Sequence, residues 1–371
     1  MPTLLVPPPA GANCSCGASP PPAHTAVILE TRASPALEFA VLHMACSLPE
    51  DWGLMLVGTR AMRGFIRAAF APLLRSRRLA VWELQPHAQE LQRVCPLQLL
   101  GSEGEEGGGS DGGGGSGSGG SGSSSSSSGE GEGGAWCAGE ATAQAWRVPR
   151  SPAFDRWTTG WDLANQVLMT EPFYRAIPTE RFLIFQTDGL LCRPLGASDL
   201  AALQRYDYVG SPWRWDPMGL ALLGVPLLPS SRAAVGGNGG FSFRSRSVVL
   251  RILEEEKRRQ WFDAPLGGSG EWEDLFLARR VVGAGGRLPP HDFAQAFAVE
   301  SMLPPPHERP LGYHNPWKYL SETELRALAR VCPPISESLV WSNASAPLAC
   351  RARGAGLAGR REGPAAHLGA L

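Results

Sequence analysis

The sequence predicts an α/β protein, a single domain around a mostly parallel mixed sheet, and three observations predict it. Near the N-terminus, short apolar runs with β-branched members alternate with stretches of helical period, the pattern of βαβ units. A five-residue run, RFLIF at 181–185, reads as a central strand and is followed at once by the polar string QTD. The same alternation resumes beyond a long Gly/Ser tract, so the tract interrupts one domain instead of separating two.

Taken in order, residues 1–23 are broken by prolines and are expected to be disordered. The first strand covers 25–29, whose AVIL run suits a strand buried on both faces. Pro35 opens a helix over 35–47, with Leu37, Ala40, Val41, Met44 and Ala45 on one stripe. A second strand at 52–57 completes a βαβ unit, which is right-handed and builds parallel sheet. A helix at 62–74 and a strand at 79–84 follow. Residues 101–135 are Gly or Ser at 28 of 35 positions, and the other seven are six acidic residues and one alanine. Such a composition cannot bury enough apolar surface to offset the entropy of ordering, so a disordered insertion is expected.

Beyond the insertion a helix over 161–169 precedes the RFLIF strand. Ser198 is placed to cap a helix at 199–205 and Ser247 a helix at 248–259. Another helix covers 271–282. The last begins on a capping box, Ser321 to Glu324, and runs to 330. The tail 346–371 is rich in Ala, Gly and Arg without a period and is expected to be disordered, which leaves one domain over 24–345.

Lys plus Arg total 34 and Asp plus Glu 35, a formal net charge of -1. That balance gives no electrostatic reason to expect nucleic acid or an anionic membrane as partner. The eight cysteines are scattered, and only Cys14 and Cys16 are close. Neither a zinc site nor a disulfide framework is indicated, and isolated buried thiols are expected. No apolar run reaches the length of a membrane span, and the N-terminus lacks the form of a signal peptide. A cytoplasmic protein is therefore expected, in which the sequon Asn343-Ala-Ser345 carries no meaning.

Four strings could carry chemistry. In IFQTDGLLC, Asp188 lies at the C-terminal edge of a central strand, where open α/β sheets bind ligands; the plain alternative is an aspartate closing a turn. In GGNGGFS, at 236–242, Asn238 and four glycines give a backbone able to approach a ligand closely, or simply a tight surface turn. A strand then follows whose Arg244 could meet an anion. In EWEDLF, Glu273 and Asp274 open a helix, where the dipole favours them structurally and also suits a catalytic base. In GYHNPWK, His314 offers an imidazole to a metal, although a lone histidine is more often a structural hydrogen-bonding residue. Phosphate-loop, dinucleotide and serine- or metalloprotease motifs are all lacking.

The strings IFQTD, YDYVGSPW, GNGGFSFRSR, EDLF, FAVE and GYHNPWKYL occur in the order seen in a glycosyltransferase-like family of domains of unknown function, and the start VILETRASPALEFAV looks like that family's own. The resemblance covers 26–320 apart from the Gly/Ser tract. That family is similar to nucleotide-sugar transferases of the GT-A type, a Rossmann-like single domain. The resemblance implies a D-x-D motif whose last residue is Asp188 and whose first position is occupied by Gln186, an amide without charge. It implies a divalent cation, Mn2+ or Mg2+, held by Asp188 and His314. Asp274 is the implied base, with Glu273 beside it. Arg32, Gln186, Asn238, Arg244 and Lys318 would contact the nucleotide-sugar, and Trp213 or Trp317 the acceptor glycan. The expected activity is sugar transfer to a hydroxyl, with inversion suggested by the ED string; the alternative is a non-catalytic nucleotide-sugar or glycan-binding protein.

Overall fold

The computed structural model describes residues 22–85, 90–94, 99, 146–147, 160–213, 236–258, 272–304 and 309–341. The Gly/Ser tract, the two chain ends and the sequon lie outside them. The strands are β1 (His24–Leu29), β2 (Trp52–Thr59), β3 (Leu79–Gln85), β4 (Glu90–Val94), β5 (Trp146–Arg147), β6 (Arg181–Phe185), β7 (Gly189–Leu191), β8 (Tyr208–Ser211), β9 (Asn238–Ser245), β10 (Ala298–Val299) and β11 (Gly312–His314). The helices are α1 (Pro35–Ser47), α2 (Arg63–Arg75), α3 (Gly160–Val167), α4 (Glu171–Ala176), α5 (Ala197–Leu203), α6 (Arg246–Arg258), α7 (Glu273–Arg280), α8 (His291–Phe297), α9 (Glu322–Val331) and α10 (Pro334–Trp341).

They form a mixed α/β domain with two sheets. The larger has the order β5-β4-β3-β2-β1-β6-β9-β8, and the smaller β10-β11-β7. In the larger sheet β3, β2, β1 and β6 run parallel. The pairings β3–β4, β4–β5, β6–β9 and β8–β9 are antiparallel. The sheet is therefore parallel only at its centre, less so than the sequence predicts. A short connection, such as the one between β3 and β4, can only return the chain antiparallel; a parallel neighbour needs a crossover. The strands β4 and β5, which precede and follow the Gly/Ser tract, pair with each other.

The central strands are apolar along their whole length because both faces are covered. Ala26, Ile28, Leu54, Leu56, Leu183 and Phe185 pack with α1 and α2 on one face. The alternate residues Val27, Met55, Val57, Phe182 and Ile184 pack with α4, α6 and α7 on the other. This period of two with both phases buried is what a strand between two helix layers requires. In α1 the Ser34 hydroxyl caps Leu37 N–H at 3.2 Å, and Pro35 sits where its missing N–H costs nothing. The helix α2 breaks its regular angles at Phe70, shortly before Pro72.

Two caps differ from expectation. Gly196, not Ser198, is the N-cap of α5, because Asp199 Oδ2 accepts from Gly196 N–H at 2.9 Å. The helix α6 begins at Arg246, and Ser247 binds the Glu180 carboxylate through both N–H and Oγ, which moves the anion from the cap position to another element. The Ser321–Glu324 capping box is present. The cysteines also depart from isolated thiols: Cys192 is joined to Cys332, and Cys46 is disulfide-bonded. Among the described residues no helix is long and apolar enough to cross a membrane.

Candidate functional site

The strand order reverses at β1: β2 and β3 extend to one side of it, and β6 lies on the other. Ligand crevices in open α/β sheets form outside the carboxyl ends of the strands at such a point. Here the residues following β1 (Glu30, Thr31, Arg32) and β6 (Gln186, Thr187, Asp188) line a crevice with Asn165 of α3, Asn238–Gly240 of β9, the start of α7 and His314. Six segments remote in sequence thus meet at one place.

His314 is its buried centre. The smaller sheet delivers it: β11 runs antiparallel to β7 with His314 opposite Gly189, and Asn315 N–H donates to Asp188 O at 2.8 Å. Behind the ring, Nδ1 lies 3.1 Å from Oε1 of Glu300, a buried carboxylate just after β10. In front, Nε2 lies 3.1 Å from Gln186 Oε1 and 3.6 Å from Asp188 Oδ1. Burial is the largest influence on the imidazole and opposes its charge, but Asp188 and then Glu300 outweigh it, so its pKa rises above the ordinary value. Glu300 Oε1 and Gln186 Oε1 are the hydrogen-bond partners of its two ring nitrogens. The Glu300 Oε2 atom is buried without a hydrogen-bond partner.

Glycine on β9 makes room for this arrangement. A Cβ at Gly240 would stand 2.1 Å from His314 Nε2 and 2.6 Å from Gln186 Oε1. The run 236–242 is therefore neither a surface turn nor a free loop. It enters β9 through Gly237, whose φ of 87° a side chain would strain, and then lets other side chains of the site close over the strand.

The opening turn of α7 supplies the second group. Asp274 is partly buried, accepting from Leu275 N–H at 2.8 Å and from Gly239 N–H at 3.4 Å. Burial, then the neighbouring Glu273, pushes its carboxyl up to about 7 despite those two bonds. A carboxyl at that value divides its time between acid and base near neutrality. Glu273 has a different task. It forms an ion pair with Arg244, whose side chain is fully buried. Arg244 also donates to Tyr174 Oη at 3.0 Å, Ser242 Oγ at 2.8 Å and Gly239 O at 3.1 Å. Arg244, expected to meet a ligand anion, has its guanidinium held inside the fold by these partners. Glu273, expected beside Asp274 as a base, has its carboxylate in this ion pair.

Of the other expected residues, Arg32 lines the crevice with its side chain 72% exposed, tethered to Glu30 by two bonds of 2.9 and 3.0 Å. Asn238 also lines it, its Oδ1 accepting from Gly240 N–H at 2.8 Å. Lys318, Trp213 and Trp317 do not. Lys318 Nζ lies 5.1 Å from the Tyr319 ring centre, and Trp317 packs against Tyr313 and the core. Trp272, 54% exposed, lines the crevice beside Asp274. Sequence reading did not single out Glu300 or Asn165, and it took in Gly240 only as one of the four glycines around Asn238. Glu300 ends the string FAVE, and only its burial beside His314 reveals its part.

Gln186 Oε1, Asp188 Oδ1 and His314 Nε2 are donors of the types that divalent cations take. Two ligands at about 2.1 Å from a metal and at right angles stand about 3.0 Å apart; the spacings of 3.1 and 3.6 Å around His314 Nε2 are close to that. A carboxylate behind the ring also matches the usual way of holding a ligating imidazole. Among the described residues no group of three or more His, Cys, Asp or Glu is placed to hold a metal ion. No curated protein matches the chain. A family model described as a protein of unknown function (DUF5672) matches residues 152–314, a span that holds Gln186, Asp188, Asp274, Glu300 and His314.

Proposed function

We propose that the protein is a glycosyltransferase of GT-A type, transferring a sugar from a nucleotide-sugar to a hydroxyl acceptor. The observation that carries this reading is the convergence of Gln186, Asp188, His314 and Asp274 on one crevice at the carboxyl ends of β1 and β6. Four carboxyl side chains and one arginine line it, and one carboxylate is neutralised from inside by Arg244. An anionic diphosphate would enter such a crevice only with a cation. Bound by Asp188, His314 and Gln186, a divalent ion would offset the charge that develops on the departing diphosphate.

The chain's own residues would do the rest. Asp274 would accept the proton of the acceptor hydroxyl, and its high pKa makes it a stronger base than an exposed aspartate. Glu300 would keep His314 Nε2 facing the crevice. Arg32, exposed at the mouth, would reach the nucleotide. The neutral Gln186 in place of a carboxylate supports a second reading, a binder that holds a nucleotide-sugar without turning it over.

Titration calorimetry with uridine diphosphate tests the proposal, in manganese and in chelator. Wild type should bind at least about tenfold tighter with manganese, and Asp188→Asn should lose that gain while remaining folded. Equal affinity of the two proteins under both conditions would remove the cation site and with it the main support for transfer.

A further inference from the structure

All three cysteines among the described residues are oxidised: Cys192 to Cys332, and Cys46 in a second disulfide. The Cys192–Cys332 bond spans 140 residues of sequence and joins two ends of the site's scaffold. Cys192 follows β7 directly, and its N–H donates to Leu311 O, just ahead of β11, at 2.8 Å. Cys332 closes α9, its N–H on Leu328 O at 2.8 Å, immediately before α10. The bond therefore fastens the two C-terminal helices to the sheet that brings His314 opposite Gly189.

Access separates a working disulfide from a structural one. Exchange needs a thiolate to reach a sulfur, so catalytic and regulatory disulfides are exposed. Cys192 is 7% exposed and Cys332 0%, both within the same apolar cluster as Leu190, Leu311 and Ile335. Thiols in a reducing cytosol stay reduced, whereas oxidising compartments form such bonds and keep them. We propose that Cys192–Cys332 is a permanent crosslink holding α9 and α10 to the His314 sheet, and that the chain reaches its working form in an oxidising compartment instead of the cytoplasm that its sequence suggests. Formation takes two thiols to one disulfide, with two electrons and two protons passing to a disulfide or quinone-linked oxidant of that compartment.

The test uses protein from its own cells, quenched in acid, alkylated with iodoacetamide, then reduced and labelled with N-ethylmaleimide. Peptide mass spectrometry should find Cys46, Cys192 and Cys332 carrying maleimide in nearly all molecules. Iodoacetamide adducts at Cys192 and Cys332 in most molecules would overturn the compartment. For the crosslink's role, amide exchange is compared between wild type and the Cys192→Ala/Cys332→Ala variant. Residues 311–314 should exchange about tenfold faster or more in the variant, with β2 unchanged. Equal exchange would overturn the clamp. Should that variant not fold, Cys192→Val/Cys332→Val, which keeps more of the buried volume, gives the same comparison. Neither readout involves the crevice's ligand, so failure here leaves the transferase reading standing, and the reverse.

Discussion

The buried carboxylate of Glu300 holds Nδ1 of His314 at 3.1 Å and leaves Nε2 as the only ring nitrogen facing the crevice. A carboxylate in this position fixes the ring and raises its basicity, whereas an amide fixes it without the charge. Glu300→Gln should therefore lower the His314 pKa, since Glu300 is one of the groups that raise it. If the crevice holds a cation, manganese-dependent binding of uridine diphosphate should weaken about 10- to 100-fold. Proton NMR of the imidazole and calorimetry check the two effects separately. An unchanged imidazole pKa would show that the contact does not tune the ring.

Asp274 makes a signed statement about pH. Its carboxyl is pushed up to about 7 in the fold, above its value in an open chain. Between about pH 4 and pH 7 the folded protein therefore holds a proton that the unfolded chain has released. Stability contributed by that proton is full at low pH and is lost as pH rises through 7. Asp274→Asn carries no ionisation, so the variant should be more stable than wild type at pH 7.5, on the order of a few kcal/mol, and the gap should close toward pH 4. Turnover should fall about 100-fold or more. Thermal melts across pH are decisive for the first claim: parallel curves for the two proteins would contradict it.

Arg244 illustrates what the sequence could not disclose. In GNGGFSFRSR it reads as a cation beyond a glycine loop, free for a phosphate. Its burial depends on α7 packing against β9, and Glu273 is 29 residues away along the chain. The same holds for Glu300 and for the disulfide, which join strands only two or three residues long to distant elements. Short strands carry too little pattern to be read. By contrast, β1, α1, β2, β3 and β6 were legible because both phases of their strands, or a whole helical stripe, are apolar. Gln186, Asp188, Asn238, Asp274, Arg32 and His314 were legible as separate strings, and the fold collects them in one crevice.

Removing Arg244 should accordingly damage the fold before it affects any ligand. Arg244→Met leaves Glu273 buried without its countercharge, a loss of about 3–5 kcal/mol for a broken buried pair. Arg244→Met combined with Glu273→Leu removes both charges and should recover most of the lost stability. Chemical denaturation of wild type and the two variants measures this. Failure of the double change to recover would mean that Tyr174, Ser242 and Gly239, the other partners of the guanidinium, carry the stability instead.

Gly240 gives a test of the site's geometry that adds one methyl group and no charge. The β9 backbone there lies so close to the ring that an added Cβ would stand 2.1 Å from His314 Nε2 and 2.6 Å from Gln186 Oε1, well inside contact distance. Gln186 is half-buried and can turn aside, but His314 is held from behind by Glu300 and is 2% exposed. The ring of a Gly240→Ala variant must therefore tilt or the strand must shift. Either movement parts Nε2 from Asp188, now at 3.6 Å. Overpacking of this kind costs about 1–3 kcal/mol, so the protein should still fold with a lowered melting temperature. Manganese-dependent binding of uridine diphosphate should fall by far more than that stability loss explains. The matched control is Gly64→Ala, where an added Cβ meets nothing within 4 Å. If both variants bind alike, the contact between β9 and the imidazole does not set the site, and His314 holds its place for packing alone.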